Sequence, residues 1–411
     1  MRAVETPAPS RTYLERAYLD HAASAPLYPE VVSVMQEALL ELHANPTGMH
    51  SSARAAKTAL EEARERIATL LGCLPHEVVF TGGGTESDNL AVKGVMRGVL
   101  GDALAPRDLS GVVVSEIEHR AMIAPAARLA AEGARVAFAP VTSEGIIDID
   151  RLSALLDEQT AFVSVMAVNN EIGTRQPLSE VLSLVRERSP RAVLHTDAVQ
   201  APMWIDPKEF MLCDLVTVTG HKVGGPRGIG VLVVRDGVKI VAEIEGGGQE
   251  RGLRAGTPDV AAAVALALAL ELTVARRDET ATRVRALRDR LISGVLASVP
   301  EVVLVGADSA RVDGFAPFAL AGIESESLLV LLDRAGVDAA AGSSCASGAT
   351  EPSHVLTALG VDPKFIGGAL RCSLGWSTTA DEVDHMIQVL PEAVNRLRAL
   401  RVEKPAATVT Q

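Results

Sequence analysis

Apolar positions along this chain fall into two alternating kinds of block. Val31 to Leu42 and Ala53 to Leu71 repeat them at helical spacing, with Asn45 to His50 as a loop between. Short β-branched runs then predict seven strands, at Glu77–Phe80, Val112–Ser115, Arg135–Ala139, Ala161–Val165, Ala192–Thr196, Leu215–Thr219 and Val231–Arg235. Helical patterns separate most of them, at Glu86–Met96, Arg120–Ala131, Leu152–Leu156 and Leu178–Glu187. Strands that alternate with helices predict an α/β fold, with a mostly parallel sheet covered on both faces. In such a sheet, ligands bind beyond the carboxyl ends of the strands.

From Pro258 a long helical pattern runs to about Ser298, with one charged interruption near Arg276. Strands follow near Val302, Phe315 and Ala369–Leu374, and helices at Ser325–Arg334, Pro352–Leu359 and Asp381–Arg401, around a Gly/Ser loop at Cys345. This second region reads as a smaller α+β domain. The expected division is an arm over 1–30 that joins the small domain, a large domain over 31–275, and a small domain over 276–411 that carries the cysteine loop.

Composition narrows the function. With 48% hydrophobic and 22% charged residues, the 411-residue chain reads as an ordinary globular protein. A net charge of −13 without any Lys/Arg block argues against a nucleic-acid surface. The longest apolar stretch, Val260 to Leu270, is short for a membrane span, and Met1 to Thr12 has no apolar signal-peptide region. Four cysteines (Cys73, Cys213, Cys345, Cys372), without zinc-like spacing, fit free thiols in a reducing cytoplasm, and no metal is expected.

Several residues at strand ends could do chemistry. Thr81-Gly82-Gly83-Gly84-Thr85 joins a strand to a helix, where backbone N–H groups and the helix terminus could cradle a phosphate; it is equally a tight turn with a Thr/Glu helix start. His195 and Asp197 share a face at a strand end, where Asp197 could pair with a protonated ring nitrogen or simply cap the next helix. Glu118-His119 ends another strand, and the imidazole there could lie against a cofactor ring or be merely solvated. Asn169-Asn170-Glu171-Ile172-Gly173 offers amide donors or is a turn. Lys222 follows the strand Leu215–Thr219 and stands before a Gly/Pro cluster, where an amine needs a partner or a role. Cys345 lies among small residues that leave a thiol accessible, whereas Cys73, Cys213 and Cys372 sit in apolar or strand settings and read as packing residues. Arg371 offers a fork for a carboxylate, or a surface ion pair.

In order, the segments LDHAASAP, ANPTGMHS, VVFTGGGTESDNLA, SEIEHRAM, VNNEIG, HTDAVQ, TGHKVGGPRGIG, GGGQERGLRAGT, GSSCASG-ATEPSHVL and LRCSLG run from Tyr18 to about Val389. Together they resemble the cysteine desulfurases, the NifS/IscS-like branch of the pyridoxal phosphate (PLP)-dependent class-V aminotransferase superfamily. The resemblance implies the fold-type-I, aspartate aminotransferase-like architecture. It implies that Lys222 holds PLP through a Schiff base, Asp197 pairs with the pyridine nitrogen, Gln200 and Asn170 bond the ring hydroxyl, and His119 stacks on the ring. Gly84, Thr85, Thr219 and His221 would hold the phosphate, and Thr257 would reach the phosphate of a partner subunit, so a homodimer is implied. Asn45, Asn170 and Arg371 would receive the carboxylate of L-cysteine. The Cys345 thiolate would attack the substrate sulfur, leaving a persulfide and L-alanine, and would pass sulfur to an acceptor protein for iron–sulfur assembly or thiolation.

The sequence departs from the common pattern at Gly224, Trp376, Asp259 and Ser24-Ala25. A selenocysteine lyase or another class-V enzyme is the nearest alternative, and a non-catalytic sulfur-trafficking scaffold the second. A nicotinamide-dependent dehydrogenase is a weaker third reading, because the glycine loop has the wrong spacing.

Overall fold

In the computed structural model, residues 16–101, 110–342 and 352–402 are described. Strand β1 (Ala17–Tyr18) comes first. Then β2 (Val78–Thr81), β3 (Gly111–Ser115), β4 (Arg135–Ala139), β5 (Thr160–Ser164), β6 (Val193–Asp197), β7 (Leu215–Thr219) and β8 (Gly230–Val234) form one sheet, in the order β2-β8-β7-β6-β5-β3-β4. All seven expected strands are present, within a residue at each end. β8 pairs antiparallel with both β2 and β7, and the other neighbours pair in parallel. Six strands therefore end on the same edge, with β8 alone reversed.

The strand alternation sorts residues to two cores. Val78, Phe80, Val113, Val163, Val216 and Val231 pack on one face with Leu60 and Ile67 of the helix Ser51–Leu71. Val79, Val112, Phe162, Leu215 and Leu232 pack on the other with Leu90 and Met96 of the helix Gly84–Gly101. Burial on both faces explains why these strands read as continuous apolar runs rather than as alternating ones.

The helix Val260–Ser298 is continuous over 39 residues, so the charged interruption near Arg276 is no break. Arg276 pairs with Glu30 at 2.7 Å and Arg277 with Asp206 at 3.4 Å, which places the charges at the surface where the helix leaves one core for the next. Its Leu266 and Leu270 belong to the large core, and its Val284, Leu291 and Val295 to a second core. That second core surrounds β9 (Val302–Leu304), β10 (Phe315–Leu320) and β12 (Ala369–Ser373), an antiparallel sheet in the order β12-β10-β9. β11 (Val337–Asp338) pairs in parallel with β1, so the N-terminal segment is fastened to the second region. Among the described residues, no helix is long and apolar enough to cross a membrane.

Candidate active site

Beyond the shared strand edge lies a cavity of about 470 Å³, within the usual range for a small-molecule site. Its wall includes Gly84, Thr85, His119, Asn170, Asp197, Gln200, Thr219, His221, Lys222 and Arg371. Residues from far apart in the chain meet here because nearly all stand at or just past the end of a strand of the large sheet, while Arg371 comes from within a strand of the second region.

Asp197 is the last residue of β6 and is 5% exposed. Its Oδ1 accepts a hydrogen bond from Val199 N at 2.9 Å, so it makes the local turn bond while lining the cavity. Burial pushes the Asp197 carboxyl up; His119, the Val199 N–H and Lys222 oppose that shift. His195, two residues earlier, lies wholly inside, with Nδ1 2.9 Å from Ser164 Oγ and Nε2 3.1 Å from Thr217 Oγ1. Burial lowers it to about 3, so its ring is neutral.

Lys222 ends a single turn, Gly220–Lys222, that follows β7 directly. A side chain at Gly220 would meet Pro226 O at 2.6 Å, so the tight turn that aims Lys222 requires glycine. The amine donates to Ala22 O and, at 2.7 Å, to Ala23 O, which ties the N-terminal segment over the cavity. Gln200 Nε2 donates to the same Ala22 carbonyl at 2.8 Å. His221 is lowered to about 4 by burial, then by Lys222 and Arg227.

The glycine loop is both a turn and an anion cradle. Gly82 N donates to Glu86 Oε2 at 2.8 Å, and Gly83 takes φ +141°. The helix starts at Gly84, where an added Cβ would sit 3.0 Å from Val199 Cγ2. Its first residues face the cavity with the positive end of the helix behind them. The Thr219 hydroxyl donates to Ile229 O at 3.2 Å. His119 precedes the helix Arg120–Ala131, and its Nδ1 accepts from Ala121 N at 3.1 Å.

Arg371, in β12, has a side chain 3% exposed. Its Nη1 donates to Asn170 O at 2.9 Å and its Nη2 to Asp20 Oδ1 at 2.8 Å, while its buried Nε has no partner among the described residues. A buried guanidinium with a spare donor suits a carboxylate guest.

Asn45 and Thr257 do not line this cavity. Both are exposed, and Asn45 Oδ1 accepts from Thr47 N at 3.0 Å and from Thr47 Oγ1 at 2.8 Å. Cys345 lies outside the described residues. Burial pushes Cys73 to about 11 and Cys372 to about 12, and raises Cys213 as well. Asp20 and Asp88 also line the cavity and were not singled out from sequence. Asp88 stands about one helical turn after Thr85, which puts it on the same helix face as the glycine cradle, and that spacing is the signal that could have found it.

The donor set fits PLP: an amine, a carboxylate, an imidazole, and a glycine cradle at a helix N-terminus converge on one cavity. Among the described residues, no group of acids, histidines or cysteines is placed to hold a metal ion.

The sequence profile of the family described as Aminotransferase class-V matches residues 17–386. An IscS-like cysteine desulfurase of Mycobacterium tuberculosis is 43% identical over 392 residues, covering 93% of this chain and 97% of its own. Cysteine desulfurase IscS of Methanosarcina thermophila is 40% identical over 384 residues, covering 93% and 92%. A solved NifS-like protein superposes with a TM-score of 0.85 at 32% identity, over 93% of this chain and 100% of that one.

Proposed function

The chain belongs to the class-V aminotransferase family, and from that premise we propose how its own residues carry out the desulfuration of L-cysteine. It is a PLP-dependent cysteine desulfurase, similar over nearly its full length to enzymes of that name. The observation that carries the residue assignment is the convergence of Lys222, Asp197, His119 and Arg371 on one cavity.

Lys222 would anchor PLP, Asp197 would face its pyridine nitrogen, His119 its ring, Asn170 and Gln200 its hydroxyl, and Gly84, Thr85, Thr219 and His221 its phosphate. When bound, the cofactor supplies an electron sink for the pair left at the substrate Cα. Arg371 takes the carboxylate of L-cysteine and fixes which way the Cα–H bond points. The Lys222 amine, once released from the cofactor by the substrate, would move the Cα proton. The Cys345 thiolate attacks the substrate sulfur: an S–S bond forms, the Cβ–S bond breaks, and its electron pair remains with the three-carbon product. Protonation at Cβ and return of a proton to Cα complete L-alanine, and the persulfide sulfur on Cys345 goes to an acceptor protein. The raised thiols of Cys73, Cys213 and Cys372 support Cys345 as the attacking group, since a thiol held protonated is a poor nucleophile.

The exposed Thr257, outside its own cavity, supports the reading that it serves a partner subunit in a homodimer. Residues 31–275 then form the cofactor domain and 276–411, with 1–30, the domain bearing Cys345, in a cytoplasmic enzyme. Cys345→Ala tests the assignment: it is expected to keep the visible PLP band and lose sulfur transfer. Undiminished turnover of L-cysteine by that variant would favour a selenocysteine lyase instead.

A further inference from the structure

Behind Asp197 lies an acid that the reaction above does not use. Asp88, on the helix Gly84–Gly101, is 1% exposed and forms part of the cavity wall. Asp197 and Thr217, opposite each other on β6 and β7, face it. Its Oδ1 has no hydrogen-bond partner among the described residues and stands 3.6 Å from His195 Nε2. His195 cannot neutralise it, because that ring is buried and uncharged.

Two facing carboxylates with so little exposure repel each other when both are ionised, which favours one proton shared between them. The groups around the pair decide where it stays. Asp197 faces His119 and Lys222 and accepts the Val199 N–H, all of which favour its charged form. Asp88 faces the charges of Asp197 and Glu118, from β6 and from the turn after β3. Burial first, then those charges, raise Asp88 well above the usual carboxylate range. Glu118, fully buried against Ser164 at 3.2 Å, is raised for the same reasons.

We propose that Asp88 is a positioning residue: its neutral carboxyl donates a hydrogen bond to Asp197, keeping Asp197 ionised and turned toward the pyridine nitrogen of PLP. A neutral acid bonded to an anion makes a strong hydrogen bond without adding a second charge to the interior. The proposal rests on the reading that Asp197 takes that place against the cofactor.

The test compares the full-length wild type with D88N, D88L and D197N, each stripped of cofactor and titrated with PLP by its visible absorbance. Asn at 88 keeps a donor; Leu fills similar space without one. D88N is expected to bind PLP within about twofold of the wild type. D88L is expected to bind roughly ten- to a hundredfold more weakly, the range for losing a hydrogen bond to a buried charged group. If D197N weakens binding while D88L matches the wild type, or D88N is as impaired as D88L, the role of Asp88 is overturned and that of Asp197 survives. If D197N binds as the wild type does, both fall. Should D88L not fold, infrared spectroscopy of the cofactor-free protein at neutral pH decides. A protonated-carboxyl band present in the wild type and lost in D88N supports the proposal; identical spectra overturn it.

Discussion

The Arg371 guanidinium is shared between Asp20 Oδ1, at 2.8 Å from Nη2, and the Asn170 carbonyl, at 2.9 Å from Nη1. The two anchors come from the N-terminal segment and from the turn after β5, so the fork is held in place before any substrate arrives. Arg371→Lys keeps the charge but loses the fork. KM for L-cysteine is expected to rise roughly ten- to a hundredfold, the effect of losing a charge-assisted hydrogen bond, with a smaller fall in kcat. Steady-state kinetics with L-cysteine check it; an unchanged KM would remove Arg371 from the carboxylate site.

Gly224 and Trp376 converge on Tyr28. Gly224 has φ +72°, and an added Cβ would meet Tyr28 Cε2 at 2.5 Å. Trp376 packs on the same ring with centroids 4.6 Å apart and planes tilted by 34°, and donates from Nε1 to Pro26 O at 3.0 Å. Gly224→Ala is therefore expected to destabilise by roughly 1–3 kcal/mol, as overpacking does. Urea unfolding measures it, and a wild-type midpoint would contradict this packing.

Ser353 Oγ donates to Glu171 Oε2 at 2.5 Å and accepts from Leu356 N at 3.2 Å, capping the short helix His354–Ala358. Ser353→Ala leaves a buried carboxylate short of a donor and the helix without its cap. The expected loss is about 1–3 kcal/mol. Denaturant melts at neutral pH would show it, and no loss would mean that Glu171 is satisfied elsewhere.

The buried imidazoles set an acid-side slope. His195 and His21 are held near 3 by burial, against an ordinary 6.5. Below about 6.5 the unfolded chain takes up protons at both rings that the folded chain refuses, so their contribution is lost as pH falls toward 3. Asp88 and Glu118, with raised folded values, act in the opposite sense. His195→Asn removes one imidazole alone. The stability difference between wild type and variant is expected to shrink between pH 7 and pH 4, read by thermal melts across that range; a constant difference would show that His195 does not titrate this way.

Six of the seven strands of the large sheet were legible because they are buried on both faces, which leaves an apolar run such as Leu215–Thr219 in the sequence; the edge strand β4 is largely half-exposed or exposed. Lys222 and Asp197 were legible because each follows such a run within a few residues. The pairing of β1 with β11 was not, since two-residue strands carry no periodicity. The long helix looked interrupted at Arg276 because charge on a solvent face imitates a break when the buried face changes cores. Asp88 stayed hidden because its partner, Asp197, is more than a hundred residues away and meets it only once the sheet forms.

That Lys222 and Cys345 act on the same bound molecule of L-cysteine is tested most directly by one turnover with sulfur-labelled substrate, scoring label on each cysteine against alanine formed. Label on Cys345 in equal amount to alanine, with neither product from Lys222→Ala, is the predicted result. Label on another cysteine, or full alanine yield from Cys345→Ser, would contradict the account.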